Sequence, residues 1–143
     1  MQVSAILKEK GHRLVTVSPD HTISDVTRTL ASERIGAVVV IDDGGEVVGI
    51  LSERDIVRGL SESGASLLNG RVAELMTKSV VTCTPDSKID QLMHDMTNHR
   101  IRHLPVIDNG RLAGLISIGD VVKVRLDELE NESTMLRDYI EHG

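Results

Sequence analysis

The chain states one phrase twice. Residues 15–23, VTVSPDHTI, return as residues 81–89, VTCTPDSKI, 66 positions later, and the register persists: Arg34-Ile35 falls on Arg100-Ile101, and Val40-Ile41-Asp42 on Val106-Ile107-Asp108. Past a glycine turn one residue drops out. At a spacing of 65, Gly49, Ser52, Asp55 and Val57 then meet Gly114, Ser117, Asp120 and Val122. Agreement at a fixed spacing marks duplicated structural units, so the fold is expected to be pseudo-symmetric.

Each copy has the same local pattern. A short β-rich segment (15–17; 80–83) ends at Ser18-Pro19 or Thr84-Pro85, where the fixed φ of proline suits a turn or a first helical turn. Ile23, Val26 and Leu30, and likewise Ile89, Leu92, Met93 and Met96, recur at the spacing of one apolar helix face. A buried-type strand (37–41; 104–107), a tight turn and a second strand (47–51; 112–116) follow; Asn109-Gly110 is a strong hairpin signal. A closing helix starts near Ser52 or Ser117. The reading is α/β (α+β): two β-α-β-β-α units forming one module around a shared core. It comprises an N-terminal segment (1–14), repeat one (15–60), a linker (61–79) with its loop-like stretch at 61–70, repeat two (80–126) and a C-terminal helical tail (127–143).

Composition removes several classes of function. No apolar run approaches the roughly 18 residues of a membrane span, and the N-terminal residues do not read as a secretory signal, so a cytoplasmic location and no membrane partner are expected. The single Cys83 excludes an internal disulfide framework and any multi-cysteine metal site. A net charge of −6 has the wrong sign for phosphate-backbone binding, and with Tyr139 as the sole aromatic residue there is no stacking platform, so no nucleic-acid partner is expected. Any purine held here must lie between aliphatic side chains.

The duplicated unit, the phrase Leu104-Pro105-Val106-Ile107-Asp108, and the endings Gly49-x-x-Ser52-x-x-Asp55 and Gly114-x-x-Ser117-x-x-Asp120 resemble a tandem pair of CBS domains, a Bateman module, over residues 15 to about 125. SERD at 52–55, RIRHLPV at 100–106 and SIGDVV at 117–122 are most similar to stand-alone bacterial members. The resemblance implies regulatory binding of adenosine nucleotides (AMP, ADP, ATP, NAD(H) or S-adenosylmethionine) in two clefts between the repeats, and a homodimer. By that resemblance cleft one takes Ser18, Ile23, Ile35, Gly36 and Ala37 with Ser117, Ile118 and Asp120. Cleft two takes Thr84, Ile89, Ile101, Arg102 and His103 with Ser52, Arg54 and Asp55. Repeat one has Val38-Val39-Val40 in place of the LPV phrase, a departure that bears on Gly36 and Ala37.

The chemistry fits that reading. An ionised aspartate accepts hydrogen bonds from both hydroxyls of a ribose diol, which suits Asp55 and Asp120. Ser52 and Ser117 stand where a strand becomes a helix, where a hydroxyl, free N–H groups and the helix dipole converge on an anion. The same spacing is also a capping box, which needs no ligand; both readings can hold. His99, Arg100, Arg102, His103 and Arg54 bring cations to cleft two, or form a solvated helix end. A metal on His99 and His103 is not expected, because a strand-type run begins near Ile101. Arg58 and Lys123 sit one turn past the aspartates, positioned either to reach a phosphate or to form i, i+3 ion pairs with them, and the ion pair is the expected role. Cleft two holds Arg54, Arg102 and His103 where cleft one offers glycine, alanine and Ile118. Cleft two is therefore expected to prefer the more phosphorylated or dinucleotide ligand, and cleft one AMP.

Val122, Leu126, Leu129, Leu136 and Ile140 form a coiled-coil-like stripe, either folded back on the domain or forming a partner surface. No Walker lysine phrase, G-x-G-x-x-G or nucleophile elbow is present, and Cys83 reads as a buried inert thiol, so no enzyme activity is expected. Two functions remain open: a nucleotide sensor read out by an unknown effector protein, and an interaction scaffold that keeps the fold without a ligand.

Overall fold

The structure, a computed structural model, describes residues 1–11 and 14–142. In chain order its elements are α1 (Val3–Lys10), β1 (Thr16–Val17), α2 (Ile23–Glu33), β2 (Ala37–Ile41), β3 (Val47–Ser52), α3 (Glu53–Ser63), a 3-10 turn (Gly64–Asn69), α4 (Val72–Leu75), α5 (Ile89–His99), β4 (His103–Asp108), β5 (Arg111–Ser117) and α6 (Ile118–His142). In repeat one β2 pairs antiparallel with β3 and parallel with β1; in repeat two β4 and β5 form the matching hairpin. Asn109 and Gly110 close that hairpin with φ of 52° and 79°, the left-handed pair that a two-residue turn requires.

The strand expected at 80–83 is reduced to a single bridge. Cys83 N donates to Pro105 O (2.9 Å), and Ile107 N donates to Cys83 O (2.8 Å). Val80 and Val81 leave the ladder and line a cavity instead.

The expected shared core is in fact two cores. One gathers Ile89, Leu92, Met96, Leu104, Val106, Ile116 and Val121 of repeat two; the other gathers Val17, Ile23, Val26, Leu30, Val38, Val40 and Leu51 of repeat one. Each is completed by a helix that precedes the other repeat. Val3 and Ile6 of α1 are buried in the repeat-two core, and Val72 of α4 in the repeat-one core. Backbone contacts anchor the exchange: Val3 N donates to Ser87 O, Ile89 N to Met1 O, and Val72 N to His21 O. Neither repeat closes its core with its own residues alone, which is why the pair behaves as one unit.

This exchange explains the repeated glycines. A methyl carbon on Gly114 would lie 2.6 Å from Leu7 Cδ2, so bare backbone is what admits α1. On Gly49 it would lie 2.6 Å from Met76 Sδ, 2.9 Å from Met76 Cγ and 3.1 Å from Thr77 O. At Gly114 the obstacle is the tip of one leucine; at Gly49 it includes backbone held by the Ile50–Thr77 bridge. Overfilling a packed site costs about 1–3 kcal/mol. Gly49→Ala is therefore expected to lower the urea midpoint more than Gly114→Ala, and the reverse order would contradict the exchange as described.

Helix α6 runs unbroken through the stretch read as a tail. Its stripe does not fold back: Val122, Leu126, Leu129, Leu136 and Ile140 are all exposed. Among the described residues no helix is long and apolar enough to cross a membrane.

Candidate functional site

Among the described residues, two cavities sit between the repeats at the strand-to-helix junctions. Cleft two, of about 260 Å³, is walled by Ser52, Arg54 and Asp55 from the β3–α3 junction and by Ile101, Arg102 and His103 from the approach to β4. Cleft one, of about 440 Å³, takes Ile35, Gly36 and Ala37 from repeat one and Ser117 from the β5–α6 junction. Ten of the residues expected at the clefts thus line one or the other.

The rest do not. Ile23 and Ile89 open α2 and α5 and point into the two cores, 0 % and 1 % exposed. Ser18 and Thr84 are used by their own turns: Asp20 N donates to Ser18 Oγ (3.2 Å), and Thr84 N to Ser87 Oγ (3.0 Å). Ile118 faces an outer groove beside Val122 and Leu126. Counting from the capping serines, the partner of Arg54 is Gly119, whereas Ile118 pairs with Glu53, so the comparison that set Ile118 against Arg54 is off by one residue. Asp120 stands just behind the cleft-one wall, hydrogen bonded to Ser117.

Both aspartates close capping boxes. Ser52 N and the Ser52 hydroxyl donate to Asp55 Oδ2 (both 3.0 Å), and Asp55 N donates back to Ser52 Oγ (3.2 Å). Ser117 N donates to Asp120 Oδ2 (2.9 Å), and Asp120 N to Ser117 Oγ (3.2 Å). Asp55 itself lines cleft two. Capping thus engages Oδ2 in each case and orients the carboxylate at the junction of strand and helix.

The expected ion pairs do not form. Among the described residues Arg58 makes none with Asp55, and Lys123 none with Asp120; Lys10 takes Asp120 instead, its Nζ 2.8 Å from Oδ2 and 3.0 Å from Leu115 O. Burial pushes the Asp120 carboxyl up, but the hydrogen bonds from Lys10 and Ser117 outweigh it and hold the group below the usual carboxylate range.

Several wall residues escaped the sequence reading. Leu7, Lys10, Leu14 and Val15 line cleft one; Val80, Val81, Thr77 and Ser79 line cleft two. Val15 and Val81 stand 66 apart in the repeat itself, so that spacing was the available signal. Arg34 and Arg100, one in each cleft, hold left-handed backbone with φ of 56° and 53°. Arginine in this conformation costs of order 1 kcal/mol, and such strain concentrates at functional sites.

His103 and Gly36 line both cavities, so one imidazole stands in the partition between them. A methyl carbon on Gly36 would lie 3.5 Å from His103 Nε2 and 3.3 Å from Glu53 Oε1. Burial pushes His103 below its ordinary value; Glu53 and Asp120 oppose this, and Lys10 and Arg102 reinforce it. The unfolded chain therefore binds the proton at a higher pH, near 6.5, than the native state does. The stability tied to the neutral imidazole is complete above that value and is lost below it, as pH falls toward and through the lower native value. On acidification from about pH 7.5 to about pH 5.5, His103→Gln is expected to lose less melting temperature than the unsubstituted chain; parallel losses would remove His103 as the cause.

Cys83 is 7 % exposed and burial, with Asp95 adding to it, raises its thiol to about 11, so thiolate chemistry is suppressed at neutral pH. Among the described residues no three His, Cys, Asp or Glu side chains gather as metal ligands.

The sequence model of the CBS domain matches residues 4–62 and 72–127. The mitochondrial CBS domain-containing protein CBSX3 of Arabidopsis thaliana is 34 % identical over 149 residues, spanning 99 % of this chain and 72 % of that protein. The CBS-domain containing protein ATU1752 of Agrobacterium tumefaciens superposes with a TM-score of 0.84 at 52 % identity, over 87 % of this chain and 92 % of that one. The CBS domain pair of protein MJ0100, solved in complex with 5-methylthioadenosine and S-adenosyl-L-methionine, shares the fold with a TM-score of 0.80 at 23 % identity, over 90 % and 98 % of the two chains. With both repeats matched and the exchanged helices completing their cores, the protein belongs to the CBS-domain family, as a tandem pair.

Proposed function

We propose that the protein is a regulatory module that binds adenosine nucleotides in the two clefts between its repeats. The observation that carries the reading is the pair of cavities themselves. In each, an aliphatic wall from one repeat (Ile35 and Ala37, or Ile101 and Val81) faces a capped strand-to-helix junction of the other. A purine fits such a wall without aromatic partners. The junction supplies an ionised aspartate for a ribose diol and a helix N-terminus for phosphate. The ligands of the MJ0100 pair carry the same adenosine group.

Cleft two, with Arg54, Arg58, Arg100 and Arg102 on its wall, is the richer in cations and takes the more phosphorylated or dinucleotide ligand, ATP or NAD(H); cleft one, with Lys10 and Arg34, takes AMP. A ligand present at a hundredfold its dissociation constant stabilises the native state by about 2.7 kcal/mol, so the melting temperature is expected to rise by several degrees with AMP, ATP, NAD(H) or S-adenosylmethionine. No rise with any of them would leave the scaffold reading.

The exposed stripe of α6 supports a homodimer. Ile118, Val122, Leu126, Leu129, Leu136 and Ile140 form one exposed apolar face, interrupted at Ser133, on a helix of 25 residues, about 37 Å long, and an exposed apolar face marks an interaction site. The double change Leu126→Glu and Leu129→Glu is expected to convert a dimer to a folded monomer in light scattering; an unchanged mass would exclude this face.

A further inference from the structure

Among the described residues, Lys10 is the charged contact in cleft one that no motif announced, and it comes from outside both repeats as first read. Helix α1 ends on it, and two acceptors from the second repeat, Asp120 Oδ2 and Leu115 O, hold its ammonium at the wall of the cleft. The helix is firmly seated by Val3 and Ile6, 0 % and 3 % exposed, whereas the Lys10 side chain is 42 % exposed.

The exchanged helices show what cleft two has at this place. Val3 and Val72 are both fully buried, and Leu7 and Met76 both meet the repeat glycines, so the two segments align 69 residues apart. At that spacing Lys10 corresponds to Ser79, which lines cleft two. The acid of cleft one is thus neutralised by a side chain that cleft two replaces with a neutral one.

We propose that Lys10 is a selectivity latch in cleft one that favours phosphorylated over unphosphorylated adenosine ligands. The inference rests on the nucleotide-binding reading above and adds the chemical class that cleft one accepts. A neutral nucleoside whose diol takes the other oxygen of Asp120 leaves the ammonium held on Oδ2 and gains no contact from it. A nucleoside monophosphate makes the same diol contact and also supplies an anion to which the ammonium turns. The ammonium therefore favours the phosphorylated ligand alone.

The test is calorimetric titration of the full chain with adenosine and with AMP, for the unsubstituted protein, Lys10→Met and Lys10→Arg. Methionine keeps the aliphatic stem and removes the charge. A charge-assisted contact that is made by one ligand and not by the other changes their ratio by about tenfold or more. In Lys10→Met the preference for AMP over adenosine is expected to fall by at least that factor at one class of site, through weaker AMP binding with adenosine little changed, and Lys10→Arg is expected to keep the preference. Binding of both ligands with the ratio unchanged in Lys10→Met would overturn the latch and leave the nucleotide reading intact. Absence of heat with either ligand in all three proteins would overturn that reading and the latch with it.

Discussion

Asp55→Ala is expected to weaken adenosine-nucleotide binding at one class of site by a hundredfold or more while the chain stays folded. The Asp55 side chain does two separable things. Its Oδ2 closes the α3 capping box with Ser52, a role whose loss costs about 1 kcal/mol of stability. Its other oxygen remains for a ligand in cleft two, where two hydrogen bonds from a ribose diol to a carboxylate contribute about 1.5–3 kcal/mol each. Each 1.4 kcal/mol is tenfold in affinity, so the binding loss should far exceed the stability loss. Titration calorimetry and thermal melting on the same preparation separate the two. Affinity unchanged in both Asp55→Ala and Asp120→Ala would remove the aspartates from ligand contact and leave them as caps only.

Ile6→Ala should produce the largest fall in stability of the changes discussed, and it should be felt far from residue 6 in sequence. Ile6 is 3 % exposed within the core built by Leu92, Leu104 and Ile116. Truncating a buried isoleucine removes about 2–5 kcal/mol, which at this chain length lowers the melting temperature by roughly 10 °C. Because α1 closes the core of the second repeat, faster amide hydrogen exchange is expected in β4, β5 and α5, with β1–β3 less affected. If the acceleration appeared chiefly in β1–β3, the helix exchange would be wrong.

Most of the local architecture was legible in the residues. Proline-terminated β segments, three-and-four apolar spacing in α2 and α5, and the Asn109-Gly110 turn are short-range signals whose physics is complete within a few residues. So were the capping boxes at Ser52 and Ser117. The junction residues Ser52, Asp55 and Ser117, and the strand-entry residues Ile35, Gly36, Ala37, Ile101, Arg102 and His103, were placed at the clefts through the resemblance of the duplicated unit to CBS-domain pairs. The resemblance set Ile23 and Ile89 at the clefts, whereas the three-and-four spacing had already placed them on the apolar faces of their own helices, and those faces belong to the cores. Lys10 and Leu7 were invisible because their role depends on a partner more than a hundred residues away. No local pattern encodes that distance.

The amino-acid order alone determined the duplication, the alternation of strand and helix in each copy, and the chemistry offered at each strand-to-helix turn, since these follow from backbone propensity and hydrogen bonding between near neighbours. Tertiary structure alone decided that α1 and α4 cross to the opposite repeats, that His103 stands between two cavities, and that an ammonium from one end of the chain neutralises the acid of one cleft. Those outcomes depend on which buried surfaces find each other. That is a property of shape and volume summed over the whole molecule, which no single stretch of sequence contains.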